Sequence, residues 1–176
     1  MSGIRLIPFG ELDAALLVNL TDTLSLKFNA AVAWGEQLEA PESGFDAERS
    51  QSLAGAFLNE LHALPEKNGI KLLGVTETDL YSTGLNFVFG QAEVGGTAAV
   101  ISLARLYPAD TDGGGADLLR ERTLKEAVHE LGHTYGLDHC RDRYCVMHFS
   151  TGITETDVKS DEFCPRHASE LTVGRF

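Results

Sequence analysis

The stretch His129-Glu130-Leu131-Gly132-His133-Thr134-Tyr135-Gly136-Leu137-Asp138-His139-Cys140 gathers three histidines and a glutamate around one glycine turn. Leu124, Val128, Leu131 and Tyr135 fall at helical spacing, which predicts a helix over Leu118 to Tyr135 with that stripe against a sheet. On a neighbouring face His129 and His133 stand at i and i+4, one above the other. Their β-carbons are then about 5–6 Å apart, and both imidazoles reach one zinc ion at about 2.0–2.1 Å. Gly136 suits the left-handed backbone that ends a helix, so the chain can turn and return His139 as a third ligand. Three nitrogens leave one position for water, the mark of a catalytic zinc, which acidifies that water to a pKa near about 7. Glu130 points about a quarter-turn from the first ligand, placed to accept the water's proton as general base. The plain alternative is a set of surface histidines on an amphipathic helix. From this composition the full His-Glu-x-x-His-x-x-Gly-x-x-His pattern arises by chance at about 6 × 10⁻⁵, which disfavours it.

Downstream, Met147 is a candidate Met-turn, and the extended motif resembles the metzincin signature. Cys140, directly after His139, narrows the resemblance to the archaemetzincins. Their pattern continues with a second cysteine five residues after the first, a methionine two further on, and later a Cys-x-x-Cys pair; Cys140, Cys145 and Met147 match in place. Upstream, the segments Asn86-Phe87-Val88-Phe89-Gly90-Gln91-Ala92 and Ser102-Leu103-Ala104-Arg105-Leu106 extend the likeness over about the C-terminal half. The first half matches only in its coarse order of elements.

The resemblance implies an α+β fold: a single zincin-like domain with a mixed, twisted five-stranded sheet, an active-site helix and a short zinc-stapled C-terminal subregion. Within 1–176, residues 1–136 would carry the sheet and the helices, and 137–176 the third histidine, the Met-turn and a second zinc site. It also implies a cleft between the active-site helix and an edge strand formed by Asn86, Phe87, Val88, Phe89, Gly90, Gln91 and Ala92, along which substrate lies as an added strand. Met147 would be a hydrophobic floor beneath the histidines, not a metal ligand.

Two departures from the family pattern bear on the second site. Cys164 comes one residue early, and His167 replaces the last cysteine in Cys164-Pro165-Arg166-His167. Three thiolates and one imidazole make as good a tetrahedral site as four thiolates, so a structural zinc is expected on Cys140, Cys145, Cys164 and His167. His148, Asp161 and Glu162 are alternatives to His167, and the plain reading makes the cysteines small buried hydrophobes.

The rest of the chain supplies a scaffold. Ile4 to Ile7 predicts a strand stopped by Pro8; Leu12, Leu16, Leu20 and Leu24 predict a helix; Asn29 to Trp34 predicts a second strand. Asp46 can cap a helix whose inner face is Leu53, Phe57, Leu61 and Leu64, ended by Pro65 and Gly69, and Ile70 to Val75 is a third strand. Asn86 to Ala92 and Ala98 to Leu106 pair as a hairpin around Gly95 and Gly96, and the glycine-rich run Asp110 to Asp117 is a connection. Trp34 is expected in the core and His62 on the surface.

Across 176 residues, 26 acidic and 14 basic side chains give a formal charge of −12, which excludes general attraction to nucleic acid or anionic lipid. The longest apolar runs, Ala14 to Val18 and Ala30 to Trp34, are too short for a membrane span or a signal-peptide core, so a cytoplasmic monomer is expected. Three cysteines, all in the last quarter, favour metal over a disulfide framework. By resemblance the chain is a zinc metallopeptidase with two zinc ions, acting on peptide or unfolded-protein substrates. The alternatives are a zinc-containing peptide-binding or regulatory protein with little turnover, and hydrolysis of a non-peptide amide or ester.

Overall fold

The computed structural model describes residues 3–65, 69–109 and 114–173; the first part of the expected glycine-rich connection lies outside them. In chain order the elements are β1 (Gly3–Phe9), α1 (Ala14–Phe28), β2 (Ala31–Trp34), β3 (Phe45–Asp46), β4 (Gln51–Leu53), α2 (Ala54–His62), β5 (Ile70–Thr76), β6 (Leu80–Tyr81), β7 (Gly90–Ala92), β8 (Ala98–Ser102), α3 (Gly115–Thr134), α4 (Ile153–Val158) and α5 (Pro165–Val173). Five strands form a mixed, twisted sheet in the order β2-β1-β5-β8-β7, parallel except for β7, which runs antiparallel to β8 at the edge. A separate small sheet pairs β3, β4 and β6, which the sequence pattern did not suggest.

The two faces of the sheet follow from alternation along its central strands. Leu73 and Val75 of β5 and Ala99 and Ile101 of β8 join one core with Leu16, Leu20, Leu24 and Phe28 of α1 and Val128 and Leu131 of α3. Leu72 of β5 and Ala98 and Val100 of β8 join the other, with Phe57 and Leu61 of α2. Strand β8 is buried on both faces, which is why it reads as an unbroken apolar run. Helix α3 departs from the expected single stripe: every residue from Lys125 to Thr134 is buried.

Four expectations change in detail. Strand β1 continues through Pro8, because β2 has ended opposite Leu6 and the Pro8 carbonyl takes the Leu38 N–H at 2.9 Å, so the missing proline N–H leaves no ladder bond unmade. Trp34 is 44% exposed, not core: it ends the edge strand, and its indole N–H donates to Thr21 Oγ1 at 2.7 Å. Asp46 caps a turn, accepting from the Glu48 and Arg49 amides at 3.0 and 3.1 Å, and α2 starts at Ala54 without a side-chain cap. Only Gly90 to Ala92 of the expected edge strand pairs regularly with β8. Among the described residues no helix is long and apolar enough to cross a membrane.

Candidate active site

Helix α3 presents His129 and His133 toward the edge of the sheet, and the chain turns at Gly136, whose φ is +89°. The turn carries His139 back: its Nε2 lies 3.2 Å from His133 Nε2, which in turn lies 3.1 Å from His129 Nε2. The outer ring nitrogens face acceptors. His129 Nδ1 meets the Val146 carbonyl at 2.8 Å and His133 Nδ1 the Leu137 carbonyl at 2.7 Å. A carbonyl only accepts, so in both rings the proton sits on Nδ1 and the Nε2 lone pair points inward. Converging lone pairs repel one another unless a cation lies between them. Tetrahedral zinc with bonds of about 2.0–2.1 Å would set its nitrogens about 3.3 Å apart, close to the spacing found. Burial holds His129 well below its ordinary pKa, helped by the Lys159 and His133 charges, and burial also lowers His133 and His139, so all three favour the neutral, ligating form.

Glu130 is 6% exposed and lies against β7. A Cβ at Gly90 would fall 2.6 Å from Glu130 Cγ and 2.8 Å from its Oε1, so the strand can approach the carboxylate this closely only with glycine there. Burial first, and the nearby Glu126 second, push the Glu130 carboxyl up to about 8, while Lys159 opposes them. A dication at the histidines would draw it down again, since an adjacent positive charge favours the carboxylate. Met147 is fully buried, and a Cβ at Gly132 would lie 2.5 Å from its sulfur; the glycine inside the motif is the seat of this methionine.

A second cluster lies beyond His139. The ligand atoms of Cys140, Cys145, Cys164 and His167 all fall within 4.8 Å of one another. Cys140 and Cys164 Sγ are 3.9 Å apart, and His167 Nδ1 is 3.4 Å from the sulfurs of Cys145 and Cys164. A tetrahedral zinc on such donors would need about 3.8 Å between sulfurs and about 3.6 Å from sulfur to nitrogen, so the set fits zinc. The alternatives to His167 are engaged elsewhere: His148 Nδ1 meets the Cys140 carbonyl at 3.0 Å, and Asp161 and Glu162 both pair with Lys27. His62 lies away from both clusters, 2.9 Å from Glu93.

Beside the histidines opens a cavity of about 230 Å³. Phe87, Val88 and Phe89 line it rather than extend the edge strand, with Glu126 and Glu130 of α3 and Phe149 completing the walls. Sequence reading overlooked Glu126, Lys159 and Phe149. Glu126 carried a usable signal, since it stands one helical turn before Glu130; the other two are set by tertiary packing alone.

The sequence pattern of peptidase family M54 matches residues 35–173. The archaemetzincin of Pyrococcus abyssi is 44% identical over 179 residues, spanning 97% of this chain and 95% of that protein. That of Pyrococcus furiosus is 43% identical, spanning 92% of this chain and 88% of its own length. Among solved structures, the archaemetzincin of Methanopyrus kandleri superimposes with a TM-score of 0.87 at 38% identity, covering 98% of this chain and 94% of that one. The archaemetzincin of Archaeoglobus fulgidus, crystallised with malonate, gives 0.83 at 38% identity, covering 96% and 99%.

Proposed function

Because the chain belongs to peptidase family M54, and is thereby a zinc metallopeptidase, we propose that it cleaves peptide bonds at the three-histidine site with Glu130 as general base. His129, His133 and His139 would hold the catalytic zinc, and Cys140, Cys145, Cys164 and His167 would hold a second, structural one. A zinc ion held there would supply Lewis acidity to the scissile carbonyl and to the attacking water. Glu130 takes the proton of that water and passes it to the departing amine. Substrate lies extended beside Gly90, Gln91 and Ala92, whose edge offers main-chain hydrogen bonds to a peptide and not to a folded surface. Met147 fixes the turn of α3 that carries both ligands.

The observation that carries this reading is the meeting of three Nε2 atoms, those of His129 and His133 unprotonated, beside a buried glutamate at a sheet edge. The test is a peptide-library digest with zinc-loaded protein, run beside Glu130→Ala. The variant should keep its zinc and fold while losing at least about 10²-fold in rate. Equal rates would remove Glu130 from the mechanism. Peptide capture without cleavage by the native protein would favour a binding role instead.

A further inference from the structure

The cavity beside the histidines is lined by three aromatic rings and by two glutamates of α3, Glu126 and Glu130. Phe87 and Phe89 stand edge to face with ring centres 5.2 Å apart, and Phe149 lies 4.9 Å from the His139 ring. Such walls suit a flat ring, and a volume of about 230 Å³ exceeds the ~150 Å³ that holds benzene in an apolar core. On the floor is Glu126, 3% exposed and one turn of α3 before Glu130. A buried carboxylate needs partners. Thr156 donates to Glu126 Oε1 at 2.9 Å, and the Lys159 ammonium lies 3.0 Å from the same oxygen. Both contacts fall on Oε1, leaving Oε2 without a protein donor among the described residues.

We propose that this cavity selects a tyrosine next to the scissile bond, its ring among Phe87, Phe89 and Phe149 and its hydroxyl donating to Glu126 Oε2. Charge decides among the candidate side chains. Fully buried Lys159 already balances Glu126, so a lysine or arginine of the substrate would have to compete for a carboxylate that is already paired. An acidic side chain would meet both Glu126 and Glu130. Phenylalanine fits the walls and leaves the acceptor unmet, whereas a phenol fills both. Phe149 continues from the Met147 turn, and Gly90 and Glu130 border the same cavity, so an occupant sits directly against the reacting bond.

The assignment rests on the peptidase reading, and one set of peptides tests the two separately. Four peptides differing only in Tyr, Phe, Leu or Arg at one position are compared by kcat/KM with zinc-loaded native protein. Their affinities are measured in parallel on zinc-loaded Glu130→Ala by fluorescence anisotropy. A hydroxyl donated to a carboxylate predicts that Tyr exceeds Phe by about tenfold or more in both measurements, with Arg below Phe. In Glu126→Leu with Lys159→Met, which exchanges the ion pair for apolar neighbours, the Tyr-to-Phe ratio should fall to about one. If that double variant fails to fold, Glu126→Gln, a neutral acceptor, should lower the ratio several-fold. Equal Tyr and Phe in the native protein, a ratio unmoved by the folded Glu126 variants, or a preference for Arg would each overturn the proposal. Failure to cleave any of the four would count against the peptidase reading alone, and the anisotropy ratio would still decide the subsite.

Discussion

Replacing Gly90 by alanine probes how closely β7 must approach the glutamate. The new Cβ would lie 2.6 Å from Glu130 Cγ, 2.8 Å from its Oε1 and 2.7 Å from the Val100 carbonyl. Carbon contacts settle at about 3.5–4.0 Å, so about 1 Å has to be found. Val100 cannot supply it, because β8 is held between β5 and β7 and buried on both faces. Either the three-residue edge strand moves outward or Glu130 turns away. A displacement of about 1 Å at a reacting group costs about 10²-fold in rate. Overpacking costs about 1–3 kcal/mol, which at about 2–4 °C per kcal/mol lowers Tm by about 2–12 °C. The nearest atoms to the new methyl include none from the three histidines, so zinc content should hold. The assay is kcat/KM on one good peptide, with elemental zinc and a thermal scan on the same preparation. A Gly90→Ala protein with native rate and melting would refute the idea that this contact fixes the general base. Parallel loss of zinc and rate would move the effect to the metal site.

Cys145→Ser should weaken zinc binding at the histidines by about 10–100-fold, measured by competition with a coloured chelator. Cys140 follows His139 directly, and the 145–148 turn lends its Val146 carbonyl to His129 and its Met147 carbonyl to the Cys140 amide; an unchanged affinity in a folded variant would make the two centres independent. Chelation should proceed in two stages, histidine site first, because a closed thiolate set offers no exchangeable position; simultaneous release followed by zinc analysis would contradict this. Burial and the Glu77 carboxylate, which accepts from the Tyr107 hydroxyl at 2.6 Å, push Tyr107 up to about 12. Its contribution to stability is full below about pH 10 and is lost as pH rises toward 12. Ultraviolet titration should show this late tyrosine and its absence from Tyr107→Phe.

What spacing could carry was local. The meeting of His129 with His133 needs only one helical turn, and the return of His139 only a left-handed glycine at 136. The order of long elements followed from their periods, and the apolar run of β8 gave its strand, though its burial on both faces emerged only from the fold. Edges were harder, since strand composition does not say which neighbour is missing: Pro8 survives within β1, and Trp34 faces solvent, because β2 is short and terminal. Asn86 to Phe89 have strand-like residues, yet they line a cavity and fall outside the regular pairing of β7 with β8. The position of Glu126 one turn before Glu130 was legible, but its pairing with Lys159 was not, because two charges far apart in sequence look like ordinary surface until the fold encloses them.

The enclosure of α3 limits where this protein can change. From Lys125 to Thr134 the helix has no solvent face, so a substitution there disturbs packing whatever it does to the chemistry. Part of the cavity wall is different: residues 85–86 and 149–151 belong to irregular segments with Leu85 and Phe149 partly in solvent, and a new side chain there reshapes the pocket without breaking the core. Change toward another substrate is therefore open to these loops and closed to the helix, because the stretch that carries Glu130 is also the pillar on which the molecule stands.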